Sequence, residues 1–219
     1  MADKAILYGA SEGFGAISGW NAKSTKSPET HERKTAHDDK GDEAASKLVG
    51  EKTEVSSDYE CEQDANTIPS AIGALVNSFI LTEIAIKTSA EAAQMSLRGH
   101  NHGENAHASS PALRTATHAI AVTKAFGAID FLGGTAGTDA SVVSGDCTIK
   151  CDHHDQDDGD GDHLVGENCN AMIECVTTWS GVPSVVAEAG WDVTVESSED
   201  EATGFIKTVV TGTKKIAMT

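Results

Sequence analysis

The feature that most constrains this chain is that it resembles itself. With Lys34 laid over Lys150 and no gaps, residues 34–51 fall on 150–167, an offset of 116. Identities occur at Lys34/Lys150, His37/His153, Asp39/Asp155, Asp42/Asp158 and across Leu48-Val49-Gly50-Glu51 over Leu164-Val165-Gly166-Glu167. Those are eight of eighteen positions, where composition alone would give roughly one or two. Two more anchors keep the same order: Phe14-Gly15-Ala16-Ile17 over Phe126-Gly127-Ala128-Ile129, and Ile68-Pro69-Ser70 over Val182-Pro183-Ser184. Self-similarity of this kind implies two tandem units. The boundaries are 1–99 for copy one, 100–111 for a His/Gly-rich linker closed by Pro111, and 112–219 for copy two.

Each unit reads as β-rich. In copy two, Val142 to Cys151 and Cys169 to Trp179 flank a loop of Asp, Gly and His, as in a long hairpin with a solvated tip. Trp191 to Glu196 alternates with period two, and Phe205 to Thr211 pairs with it across a polar turn. Thr117 to Phe131 reads as a further strand. In copy one, Val55, Ser57, Tyr59 and Cys61 alternate in the same way. Short helices are expected over Pro69 to Leu81 in copy one and Pro183 to Ala189 in copy two, the latter with Ser180 as N-cap and Gly190 as its stop. The expected fold class is mainly β: two tandem antiparallel β-barrel or sandwich units of the same fold, each with one short helix.

Charge narrows the partners. Sixteen Lys+Arg against 34 Asp+Glu leave a formal charge of −18, which excludes a phosphate-binding surface as the main activity. No apolar run is long and uninterrupted enough to span a membrane, and the first residues lack a basic, then apolar, export signal. Aromatics are 5% of residues, so the core is thin, and thin cores gain stability by assembling.

No catalytic, cofactor-binding or metal-binding constellation emerges from spacing. The loop 152–163, DHHDQDDGDGDH, invites calcium, but from Asp158 the EF-hand template meets His163 where Gly is required and Cys169 where Glu is required. It reads as a solvated tip. Cys147, Cys151, Cys169 and Cys175 fall at nearly facing hairpin positions, with His153 and His154 close by. Their spacing is not that of known zinc modules, and buried reduced thiols are the expectation. His100, His102 and His107 read as punctuation of the linker. Gly13-Phe14-Gly15, with Ser11 and Glu12, matches neither a phosphate loop nor a nucleophile elbow.

The layout resembles a known family. A unit that opens near a Gly-rich strand continues through a polar hairpin with the tip His37-Asp38-Asp39-Lys40-Gly41-Asp42 and the alternating strand Val55 to Cys61. An Ile-Pro-Ser turn into a helix, then closing strands, follow. This is similar to the tube-type fold of tailed-phage tail-tube and related virion proteins. The resemblance implies a structural, non-enzymatic virion protein made in the host cytoplasm. It would assemble with itself and other virion proteins into rings, three chains giving pseudo-sixfold symmetry, around a conduit for DNA that it does not bind specifically. A capsid decoration, adaptor or surface-exposed structural protein is the alternative. A metal-binding protein using the Cys/His/Asp cluster of copy two is a further one.

Overall fold

The computed structural model describes residues 13–37, 40, 43–64, 66–102, 113–157, 163–199 and 204–219. Twelve strands run through them: β1 Trp20–Lys26, β2 Glu29–His37, β3 Glu43–Cys61, β4 Ala71–Ile72, β5 Leu75–Val76, β6 Phe79–Thr88, β7 Gln94–His102, β8 Ala116–Thr117, β9 Ser141–Asp157, β10 His163–Ser180, β11 Asp192–Glu199 and β12 Ile206–Lys215. Among the described residues 62% are in strands, every named pairing is antiparallel, and no helix occurs. The mainly β, antiparallel reading is therefore right.

Ten strands form one open sheet with the order β1-β3-β7-β6-β9-β10-β12-β11, β2 continuing β1 along β3 and β5 pairing with β6. It does not close into a barrel. In the first half a long hairpin (β1/β2 with β3) is extended by β7 and then β6. In the second half the hairpin β9–β10 is extended by β12 and then β11. Where the halves meet, β6 pairs with β9, with Ile84 opposite Ile149 and Ile86 opposite Cys147. The same register sets Glu83 opposite Lys150 and Lys87 opposite Asp146, so both flanks of the apolar centre carry opposite charges face to face.

The core lies over this centre. Ile80, Leu81, Ile84, Leu97 and Ile149 are fully buried, joined by Met95, Trp179 and Val210. Period-two alternation in β3 buries Val55, Ser57, Tyr59 and Cys61, as their spacing predicts. Each fully buried aliphatic side chain contributes about 2 kcal/mol of transfer free energy.

Both expected helices are absent. Over 69–81 the chain makes β4, β5 and the start of β6. Gly73 turns at φ +82°, and Asn77 and Ser78 at +49° and +73°, so the apolar run is cut into pieces too short for a helix. Two consecutive positive-φ residues make a type I′ hairpin that sets Val76 opposite Phe79. Over 183–189 the chain is extended instead: Ser184 N–H donates to Thr135 O and Glu188 N–H to Leu132 O. Ser180 ends β10 rather than capping a helix. Nor is Thr117 to Phe131 a strand. Only its first residue belongs to β8, and the rest crosses the sheet with bridges at Val122 and Phe126.

The gapless repeat does not carry into the registers. Val49 pairs with Glu32, so the same offset would set Val165 opposite Thr148, yet Val165 pairs with Gln156. Phe14 is 3% exposed whereas Phe126 is 64% exposed. Strand order recurs between the halves, while the sequence anchors do not occupy matching places. Hairpin register follows each hairpin's own tip and buried face. The tips at 38–39, 41–42 and 158–162 lie outside the described residues.

Candidate functional site

Past the first residue of β6, no strand among the described residues pairs with both β7 and β9. Pairing of β6 with β7 begins at Ile80 and His100, and its pairing with β9 extends only to Glu83 and Lys150. Four side chains fill the gap: His100 and His102 from the end of β7, His153 and Asp155 from β9. One nitrogen or oxygen from each lies within 4.8 Å of all the others. His100 and His102 are 5% and 7% exposed. The side chain of His153 is 4% exposed and that of Asp155 is 24% exposed.

Asp155 bridges two of the imidazoles. Its Oδ2 is 2.9 Å from His102 Nε2 and its Oδ1 is 2.7 Å from His153 Nε2. The rings crowd one another, His100 and His153 having centroids 4.5 Å apart and His100 and His102 5.1 Å. Burial alone would raise the Asp155 carboxyl, but hydrogen bonds from His102 and His153 outweigh it and hold the group well below the usual carboxylate range. For His153 burial is likewise overcome, by Asp155 and Asn168, and the imidazole titrates above its ordinary value. His100 has no such support. Burial, with Lys52 and the two neighbouring histidines adding to it, lowers the ring to about 3, and its Nε2 is buried without a hydrogen-bond partner.

A second layer fixes the ring of His153. Asn168, fully buried on β10, donates from Nδ2 to the carbonyls of Gly73 (3.0 Å) and Arg114 (2.9 Å). Its Oδ1 therefore accepts, and His153 Nδ1 donates to it at 2.6 Å. That leaves Nε2 directed into the cluster. Gly166 of the LVGE stretch makes room: a Cβ there would lie 2.6 Å from His153 Nε2 and 3.1 Å from Asp155 Oδ1. Clefts of about 440 and 420 Å³ reach the cluster, one lined by Arg114, His154, Asp155 and Glu167, the other by Lys52, Arg98 and His100.

The structure divides the residues that sequence grouped together. Cys147 and Cys175 are directly opposite and joined by a disulfide, which corrects the expectation of reduced thiols for that pair. Cys151 and Cys169 are free. Cys169 lies opposite Asp152, one position from Cys151, after a register shift between Cys169 and Met172. Burial pushes the Cys151 thiol up to about 12, with Asp152 and Cys169 adding to it. His154 is exposed. His100 and His102, read as linker, complete β7 instead, because Lys52 to Glu60 of β3 pair with His102 to Gln94. His107, Asp158, Asp160, Asp162, Asp39, Ser11 and Glu12 lie outside the described residues. Gly13 and Gly15 are turn glycines at φ +75° and +76°, and Tyr59 Oη donates to Gly15 O. The signal that would have found the cluster is the period-two row Cys147, Ile149, Cys151, His153, Asp155 together with the i, i+2 pair His100 and His102.

The sheet ends form the other notable surface. All eight residues of β11 are exposed, Val193 at 36% and Val195 at 46%, with Phe205 and Ile206 beside them at 68% and 45%. Among the described residues no strand pairs with the outer side of β11 or of β1.

No protein family, curated protein or solved structure matches the chain.

Proposed function

We propose that this chain is a non-enzymatic structural protein that assembles with itself edge to edge into rings or a tube, a virion component of tail-tube type that forms a conduit for DNA. One observation carries the reading. The junction of β6 with β9 joins the outer strand of one half to the hairpin of another half with the same strand order. Repeating that junction between chains would set β11 of one copy against β1 of the next, antiparallel as in the internal case. Such a contact is heterologous: it uses two different edges and closes into a ring when its rotation divides a full turn. It also covers both open edges, which otherwise invite uncontrolled pairing.

The chemistry of the edges supports the same contact. Glu83/Lys150 and Lys87/Asp146 face each other at the internal junction. β11 carries Asp192, Glu196 and Glu199, and β1 carries Lys23 and Lys26. Val193 and Val195, exposed on β11, offer an apolar centre of the kind that the buried Ile84 and Ile86 of β6 form at the internal junction. In this reading two fused units of one architecture make each chain, three chains complete a pseudo-sixfold ring, and the acidic surface lets DNA pass without binding. Its place is the virion, after assembly in the host cytoplasm.

The test is negative-stain electron microscopy and sedimentation of the full chain, beside the double variant Val193→Lys/Val195→Lys. Rings or tubes are expected from the wild type and monomers from the variant, with unchanged β-sheet circular dichroism, since both valines are exposed. A wild type that stays monomeric at high concentration sinks the reading.

A further inference from the structure

The cluster at the internal junction has the composition and enclosure of a metal centre, and the assembly reading does not depend on it. We propose that His100, His102, His153 and Asp155 are the four protein ligands of a divalent transition metal of the zinc class, which ties β7 of the first half to β9 of the second.

Three imidazole nitrogens and one carboxylate oxygen form a borderline donor set, suited to zinc and its first-row neighbours rather than to calcium or magnesium, which take oxygen. Metal–ligand bonds of about 2.0–2.1 Å in a tetrahedron set ligand atoms about 3.3 Å apart. The observed separations bracket that, from 2.7 Å between Asp155 Oδ1 and His153 Nε2 up to 4.8 Å. The second observation is His100. Its Nε2 is buried without a partner, an uncompensated loss of hydration that a metal ion relieves. The third is the support around His153. Asn168 holds its Nδ1 and leaves Nε2 for the ion, the arrangement by which metal-binding histidines are oriented. The missing Cβ at Gly166 keeps the space beside Nε2 and Asp155 open.

Four protein ligands saturate a tetrahedral ion, so the site is structural and not catalytic. Its position explains its use. Past the first residue of β6, no ladder of backbone hydrogen bonds among the described residues ties β7 to β9, and the ion supplies that link.

The full chain is stripped with a chelator, dialysed, and loaded with Zn²⁺ or Co²⁺ alone. One ion per chain is expected. X-ray absorption of the zinc form should show only nitrogen and oxygen at about 2.0–2.1 Å, with the multiple scattering of three imidazoles. His100→Gln/His102→Gln should weaken Co²⁺ binding at least 100-fold, while His37→Gln and His154→Gln, at exposed histidines, leave it unchanged. The proposal is overturned by a wild type that retains no metal, by sulfur at about 2.3 Å, or by undiminished binding in a folded double variant. If circular dichroism finds that variant unfolded, the wild-type absorption spectrum decides alone.

Discussion

His118 shows how a single partly buried side chain couples this fold to pH. Its Nε2 is 2.8 Å from Pro69 O, and its Nδ1 is buried without a partner. Burial lowers its pKa, only partly offset by the Pro69 carbonyl, so the folded ring is neutral where the unfolded ring begins to charge. The unfolded chain therefore binds more protons below about pH 6.5. The contribution is fully present above that pH and is lost as pH falls towards the folded value, at up to about 1.4 kcal/mol per pH unit. Urea midpoints between pH 7.5 and 5.5 should fall less steeply in His118→Gln than in the wild type; equal slopes would remove His118 from the account. Gly99 illustrates a steric constraint. A Cβ there would sit 2.1 Å from the Ile80 carbonyl oxygen on the adjacent strand, so Gly99→Ala should cost about 3 kcal/mol or more in denaturant unfolding. Neither constraint is legible in the sequence. His118 lies in a stretch that reads as a strand, and Gly99 precedes what reads as a linker. Their cost arises only from what the sheet brings against them.

At the level of elements, turn chemistry overruled the apolar pattern. The run from Pro69 to Leu81 has a helix's hydrophobicity, but Gly73 and Asn77-Ser78 divide it into short strands. Asn77 is held by a 2.6 Å hydrogen bond from its Nδ2 to Gly13 O, whereas Ser78 carries the larger positive φ with no glycine to ease it. Ser78→Gly should therefore stabilise the hairpin by about 0.5–1 kcal/mol, raising the melting temperature by a few degrees; a lowered melting temperature would refute the strain argument. The long hairpin β9–β10 makes a chemical prediction. Cys147 and Cys175 are bridged and Cys61, Cys151 and Cys169 are free. Denatured, unreduced protein should take up three alkyl groups per chain by mass spectrometry and five after reduction; five in both would show the bridge absent. Sequence reached the facing positions of Cys147 and Cys175 because the register is constant from Lys150 and Met172 to Ser144 and Thr178. It also set Cys151 and Cys169 nearly opposite, and the shift between Cys169 and Met172 leaves Cys169 against Asp152, one position from Cys151, with both thiols free.

Assembly belongs to the whole molecule, where the proposed contact has a direction. Because β11 and β1 are different edges, a chain blocked only at β11 still offers β1. Val193→Lys/Val195→Lys added in small amounts to wild type should cap growing assemblies, read as a fall in ring and tube number by microscopy. The same chain with Lys23→Glu/Lys26→Glu added should be inert. Equal potency of the two would argue for a symmetric contact instead. The alternating strands, the long polar hairpins and the acidic surface were determined by the sequence alone, because period-two burial and net charge are local or additive properties of the chain. The open sheet, the meeting of its halves at β6 and β9, and the gathering of His100 and His102 with His153 and Asp155 were decided only by the tertiary structure. Those depend on registers between residues some fifty to seventy positions apart, and register follows from which faces are buried together. No local pattern encodes that.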